Sequence, residues 1–377
     1  PLVRISPSEI SVQDVSAVRR LYRIGRGEFR KAAFYQRLST AVPNVFMTTD
    51  PDDHRRKRRL LSAGVSESGL MQHKHVVDGK VQLALKRMRD EQHRQGFTDV
   101  FRWWLAFSGD VVCELSFGDS FGMLDTAEEN QFMHDLAALG GRPPLHATFP
   151  TFARVVRTLN IPIPGVKNAI AIRTRIREYG REALDKHFRF VSANGEADRP
   201  TVLSRLYQAG EDGLPFEELR EEGLAYIVAG SGTMTNTLTY LVWTVCKHPK
   251  IQSRLVEELG SLPKVFDDSD LKKLTYLNHV IDETLRLYPG APGGLPRETP
   301  EEGVELSGHW IPGGTTVSAQ AWSMHRNEEA FADANLFNPD RWNAVSRSMQ
   351  DSFVPFGGGS RGMYHDSAMK TLTVALD

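Results

Sequence analysis

Three short stretches of this 377-residue chain carry residue types and spacings that could do chemistry. The first is FVPFGGGSRGMYHD, Phe353 to Asp366, where Gly357, Gly358, Gly359 and Ser360 stand between an aromatic and an arginine. Such a run lets backbone lie close against a ligand, because no side chain intervenes. No cysteine and no well-placed acid follows it. The second is AGSGT, Ala229 to Thr233, in the middle of a long helical pattern. Glycines inside a helix cost about 1 kcal/mol each relative to alanine. They fit close packing against a crossing helix, or a groove on which something flat rests, with the Thr233 hydroxyl beside an opened turn relaying protons. The third is ETLR. Glu283 and Arg286 sit one helical turn apart, opposite the arc of Leu277, Val280, Ile281, Thr284, Leu285 and Tyr288. That pair is either solvated and worth a few tenths of a kcal/mol, or buried and in need of a further cation or backbone partner. Arg341, in FNPDRW just ahead of the glycine run, is the candidate partner.

A fourth feature is DPDDHRRKRRLLS, with consecutive basic or titratable residues from His54 to Arg59. Runs of this kind are usually solvated helix faces. Helical spacing also puts His54 and Arg58 on one face, where paired donors could grip carboxylates. Arg297, in GGLPRE, is a further arginine on a short strand-like segment.

The elements that must position these residues are predominantly helical. PLVRISPSEISV alternates like a strand followed by a turn. From Asp53 to about Gly260 most segments read as helix, broken at GRPPLHATFP and NIPIPGV. The longest candidate runs from Phe216 to His248, roughly 48 Å. It opens with acids and closes with basic residues before Pro249, as the helix dipole favours. A second helix covers LKKLTYLNHVIDETLRLYP, and Gly- and Pro-rich short strands follow it. The expected class is mainly α with a smaller β portion (α+β), as one domain over residues 1–377.

Composition bounds the function. A 40% hydrophobic, 25% charged chain is that of a soluble globular protein. The formal charge of −1 supplies no basic field for phosphate, so a general nucleic-acid binder is not expected. Two cysteines, Cys113 and Cys246, make a disulfide framework impossible and fit a reducing compartment. Both read as core residues. No run of eighteen apolar residues and no signal peptide is present, and the chain reads as if it starts mid-domain.

Taken in order along the chain, these pieces resemble the cytochromes P450, the haem-thiolate monooxygenases, most closely fungal members of secondary metabolism. The resemblance rests on Glu283 and Arg286 combined with PDRW (Pro339 to Trp342) and FGGGSR (Phe356 to Arg361), and covers nearly the whole chain. It implies roles position by position. Glu283, Arg286 and Arg341 match a buried triad, which favours the buried reading of ETLR. His54, Arg58 and Arg297 match positions that hold haem propionates. Ala229, Gly230 and Thr233 match the distal groove where oxygen is bound and protonated. Ala291 to Leu295 match a strand lining the substrate pocket. Phe356, Gly359 and Arg361 match the loop beneath the iron. The resemblance further implies haem as cofactor, a small apolar substrate, and electrons from an NADPH-dependent flavoprotein reductase. Relatives are usually anchored in the endoplasmic reticulum by an N-terminal segment that this chain lacks, so the chain as given is expected to be soluble.

The chain departs from that pattern at one decisive point. Read without a gap, the cysteine position of the loop is Met363 and the glycine two beyond it is His365. With a three-residue deletion after Arg361, Gly362 takes that glycine's place and the cysteine is absent. Met363 and His365 are weak candidates for an iron ligand, since thioether and imidazole ligation raise the potential and suit electron transfer. Gly232 stands where many relatives carry an acid before the threonine. Both ends are short relative to the family. Two readings stay open: a monooxygenase whose sequence has lost residues after Arg361, or a non-redox pseudoenzyme, cyclase, isomerase or binding protein on the same fold.

Overall fold

The computed structural model describes residues 2–22, 29–38, 42–62, 64, 66–126, 131–140, 149–159, 161, 163–194, 201–203, 213–358 and 362. They fall into two compact units, one made of the first 33 residues with those from Asn236 onward, the other of Phe34–Thr235.

All the described strands belong to the first unit: β1 (Leu2–Ser6), β2 (Glu9–Val12), β3 (Arg30–Lys31), β4 (Arg297–Glu298), β5 (Val304–Leu306), β6 (His309–Ile311) and β7 (Thr316–Ser318). Five form one sheet in the order β1-β2-β7-β4-β3. The alternation of PLVRISPSEISV becomes the antiparallel β1–β2 pair, and β2 then runs parallel to β7, with Ile10 opposite Val317. β7 pairs with β4 and β4 with β3, both antiparallel, so Arg297 stands opposite Lys31 on one side and Val317 on the other. β5 and β6 form a separate hairpin. Its two-residue turn has φ of 50° at Ser307 and 74° at Gly308, the left-handed pair that matches the twist of a tight hairpin.

One face of these strands closes on the helix Val15–Leu21. Ile10, Val18, Leu21, Leu306 and Val317 are buried together there. Tyr22, just after that helix, is a polar fastener in this apolar cluster. Its hydroxyl lies 3.0 Å from the Leu295 carbonyl and 3.1 Å from that of Ala319, and it accepts from the Ala319 N–H.

The second unit is helical. Lys74–Gln95 packs along Val100–Phe117, and Glu91 accepts from Thr98, Asp99, Arg102 and the Trp103 indole to fix the join between them. Helices Gln131–Gly140, Pro150–Thr158 and Pro164–Asn194 follow; most of GRPPLHATFP and part of NIPIPGV lie outside the described residues. The long helix spans Phe216–Lys247, 32 residues, with Glu217 and Glu218 in its first turn and Lys247 in its last; its residues up to Thr235 belong to this unit and those from Asn236 to the first. Among the described residues no helix is long and apolar enough to cross a membrane.

Two expectations about elements need correction. The helix read from Leu271 onward is broken: a short turn of helix ends at Leu271 and the main helix is Thr275–Leu287. Its start is set by a residue far away in sequence. The Glu258 carboxylate accepts from the N–H groups of Tyr276 and Leu277, capping a terminus whose own cap residue, Leu274, cannot. Second, Ala291 to Leu295 is not a strand. It contributes one isolated bridge, Gly294 to Gln320, and otherwise runs without regular pairing.

Replacing Tyr22 by Phe removes the hydroxyl that serves Leu295 and Ala319 while leaving the ring in place. The expected cost is about 1–3 kcal/mol, because buried backbone groups lose their partner. Urea denaturation measures it. A change below about 0.5 kcal/mol would show that water replaces the hydroxyl.

Candidate functional site

Glu283 and Arg286 are both fully buried. A carboxylate and a guanidinium can be taken out of water only if every lone pair and proton is used. Here they are. Arg286 grips Glu283 with Nε and Nη2, each 2.8 Å from a carboxylate oxygen, and its other protons go to the carbonyls of His325 (2.6 Å), Ala334 (2.6 Å) and Leu336 (3.0 Å). Glu283 also accepts from the Asn338 N–H at 2.8 Å, from Arg341 Nε at 3.0 Å and from the Trp342 indole at 3.1 Å. Arg341 completes the triad and holds the carbonyls of Ala332, Asp333 and Leu336.

The carbonyls matter as much as the ion pair. Between His325 and Asn338 the chain has no helix or strand to satisfy its backbone. Two guanidinium groups do that work instead, as planar five-donor forks can and ammonium groups cannot. The irregular stretch is thereby fixed around the pair, with Phe331, Ala334, Trp342 and Met349 buried beside it.

His325 extends the lock toward the glycine run, and nothing in the sequence pointed to it. It is buried; its Nδ1 meets the Arg286 carbonyl at 2.9 Å, and its Nε2 accepts from the Val354 N–H at 2.9 Å. One ring nitrogen must donate and the other accept, so the imidazole is neutral with its proton on Nδ1. Burial, with the Arg286 and Arg326 charges nearby, pushes its pKa down to about 3. Phe353 packs against both His325 and Trp342. The segment entering the glycine run is thus tied directly to the helix that carries Glu283 and Arg286.

The described part of the glycine run then turns. Gly357 donates to the Val354 carbonyl and has φ 75°, the left-handed region. A Cβ on Gly357 would stand 2.7 Å from Leu295, and one on Gly358 would stand 3.0 Å from the Tyr22 side chain. The left-handed φ of Gly357 and the nearness of Tyr22 to Gly358 thus already favour glycine here. The Arg297 guanidinium, buried on β4, lies 5.4 Å from the Tyr22 ring. Glu283, Arg286, Arg341, Phe356, Arg297 and the start of the glycine run thus belong to one unit and are linked through His325, Leu295 and Tyr22. Gly359, Arg361, Met363 and His365 lie outside the described residues.

The remaining candidates belong to the other unit. The helix Pro51–Ser62 is capped by Asp50, which accepts from the N–H groups of Asp52 and Asp53. His54 is buried on it and Arg58 half-buried one turn on. The basic run as a whole is not a solvated stripe. Lys57 is only 1% exposed and pairs with Asp53 at 3.1 Å and Glu218 at 3.5 Å; Arg56 pairs with Glu218 at 2.7 Å.

In the long helix the two glycines divide the two readings between them. A Cβ on Gly230 would stand 2.6 Å from Val112 of the neighbouring helix, so it is needed for close packing. Nothing lies within 4 Å of the corresponding point on Gly232, and Ala229 and Thr233 are exposed. The helix is continuous here, not opened. The Thr233 hydroxyl bonds the Ala229 carbonyl at 2.6 Å, the usual back-bond of threonine within a helix.

A sequence profile of the cytochrome P450 family matches residues 10–362, through both units and up to the end of the glycine run. The chain belongs to the cytochrome P450 family. It is 42% identical to the cytochrome P450 monooxygenase tazI of Aspergillus terreus, over 96% of this chain and 74% of that protein. It is 32% identical to azaI of Aspergillus niger (96% and 81%) and 31% identical to stcB of Emericella nidulans (96% and 70%), both cytochrome P450 monooxygenases. The mainly helical architecture with small sheets is that of the P450 fold.

Whether the residues present suit the haem of this family depends on the donor set. Of the residues expected to meet propionates, Arg297 belongs to the first unit and His54 and Arg58 to the second. A cysteine suited to supply the thiolate is not found among the described residues. Cys113 is fully buried in the helix Val100–Phe117, and burial beside Asp110 pushes its thiol well above the usual range. Cys246 is exposed, not a core residue as its apolar surroundings in sequence suggest. Neither of these two cysteines is therefore suited to supply the thiolate of the family's haem.

Substituting Arg286→Lys keeps the charge but leaves buried carbonyls without donors. It is expected to cost at least about 3 kcal/mol in urea unfolding, and Arg341→Lys, nearer the surface, about 1–2 kcal/mol. The reverse order would contradict the central place given to Arg286. A pH effect follows from His325. Its folded pKa lies below the unfolded value near 6.5, so its contribution is complete above that pH and is lost as pH falls toward 3. Between pH 7 and 5 this amounts to about 2 kcal/mol. His325→Gln keeps a donor and an acceptor without titrating, and its urea midpoint should fall less between those two pH values than that of the parent protein.

Proposed function

We propose that this chain is the scaffold of a haem-dependent monooxygenase that oxidises a small apolar intermediate of fungal secondary metabolism, served by an NADPH-dependent flavoprotein reductase. The observation that carries this reading is the saturated Glu283 lock, continued through His325 into the glycine run, in a chain whose family match ends just past that run. Bound through a thiolate, haem in this family activates oxygen for insertion into the substrate. What this chain contributes is the frame: Arg286 and Arg341 fix the irregular stretch, His325 fixes Val354, and Arg297 stands as a cation for a propionate. The two units act as one P450-like domain in this reading, and the distal roles fall to Ala229, Gly230 and Thr233.

The second reading has one specific observation in its favour: neither Cys113 nor Cys246 is suited to supply the thiolate. On that reading the fold serves as a non-redox binding protein, cyclase or isomerase.

Purified protein titrated with haemin tests the propionate assignment and the ligation. The propionate assignment expects Arg297→Ala to weaken haemin binding about tenfold, the loss of one charge-assisted contact; unchanged binding would remove that assignment. The reduced carbon monoxide complex of the chain as it stands should lack the thiolate-type Soret shift. Observing that shift would show that a cysteine does reach the iron.

A further inference from the structure

The helix Phe216–Lys247 carries a buried acid that the site described above does not use. Glu222 is fully buried. Its Oε1 accepts from the Val45 N–H at 2.6 Å, and its Oε2, also buried, has no hydrogen-bond partner among the described residues. Val45 lies in Pro43–Thr48, a tight turn closed on itself: Asn44 is buried, its carbonyl accepts from Thr48, and its side chain accepts from the Met47 N–H.

This strap is fastened at further points. Lys57 donates to the Pro43 carbonyl, and Asp53 accepts from the Thr48 side chain. The charged groups that face Glu222 are Lys57 and Asp53 from the helix Pro51–Ser62 and Glu218 one turn earlier on its own helix; Arg56 in turn pairs with Asp53 and Glu218. With Glu222 neutral, two cations meet two carboxylates. Once Glu222 ionises, the cluster holds a third carboxylate, one of whose oxygens has no donor among the described residues. Such a group is expensive to keep buried.

We infer that Glu222 is a proton-controlled latch for the Pro43–Thr48 strap: protonated it lets the strap sit closed on the helix, and ionised it favours states in which the strap lifts to admit water. Burial, reinforced by Glu218 and Asp53 against the opposing Val45 hydrogen bond and Lys57, pushes the carboxyl up to about 7. The sign follows from linkage. The folded value lies above the unfolded one near 4.5, so the closed strap has its full stability below that pH and loses it as pH rises through about 7. The strap carries Phe46, whose half-exposed ring packs edge-on against Tyr35, so its lifting changes the apolar surface offered there. This inference does not rest on haem or on the monooxygenase reading.

Amide hydrogen exchange of Val45 to Thr48, expressed as protection relative to the unfolded chain at each pH, tests the latch. Protection should fall about tenfold between pH 6 and pH 8 in the parent protein. In Glu222→Gln, where the amide oxygen still accepts from Val45 but cannot ionise, protection should stay level over that range. Equal protection of the parent protein at both pH values would overturn the latch, and so would an undiminished fall in Glu222→Gln. If the variant does not fold, the profile of the parent protein alone decides.

Discussion

The structure around the glycine run depends on one carboxylate kept out of water. Glu283 accepts five hydrogen bonds, three of them from two arginines. Those arginines spend their remaining protons on carbonyls of a stretch that has no secondary structure of its own. A buried ion pair is usually weak evidence for stability, since a well-packed apolar replacement often does as well. Here an apolar replacement of the pair would leave the carbonyls of His325 and Ala334 without the donors that Arg286 supplies. The pair is retained because it organises backbone, and the stretch it organises leads into the glycine run.

Much of this was legible in the sequence and some was not. The i,i+3 spacing of Glu283 and Arg286 and the nearby Arg341 gave a definite choice between a solvated and a buried pair, and the buried one holds. The start and end of the long helix were readable from its charges. His325 was invisible, because its partners, Arg286 and Val354, are 39 and 29 residues away and no periodicity links them. The start of the helix Thr275–Leu287 was misplaced for the same reason: its cap comes from Glu258, not from a neighbour.

Glycine is the residue whose meaning sequence reading leaves most open. Gly230 and Gly232 sit in the same pentapeptide, yet one packs against Val112 and the other faces open space. Gly357 and Gly358 suggested a cradle for a ligand, but the left-handed φ of Gly357 and the nearness of Tyr22 to Gly358 already favour glycine there. The absence of side chains was therefore no measure of how much room a cofactor has. The chemistry of the donors was more informative, since Cys113 is buried and Cys246 is exposed. The described residues keep the Glu283–Arg286–Arg341 lock without a cysteine suited to supply a thiolate.

The central claim is that the Glu283 lock, acting through His325, sets the entry to the glycine run. Hydrogen exchange of the Val354 and Gly357 amides, in the parent protein and in Glu283→Gln, tests it most directly. The account expects both amides to lose protection in the variant together with Asn338, while amides of the β1–β2 pair keep theirs. Unchanged protection at Val354 alongside loss at Asn338 would show that the run is positioned independently of the lock, and would contradict the account.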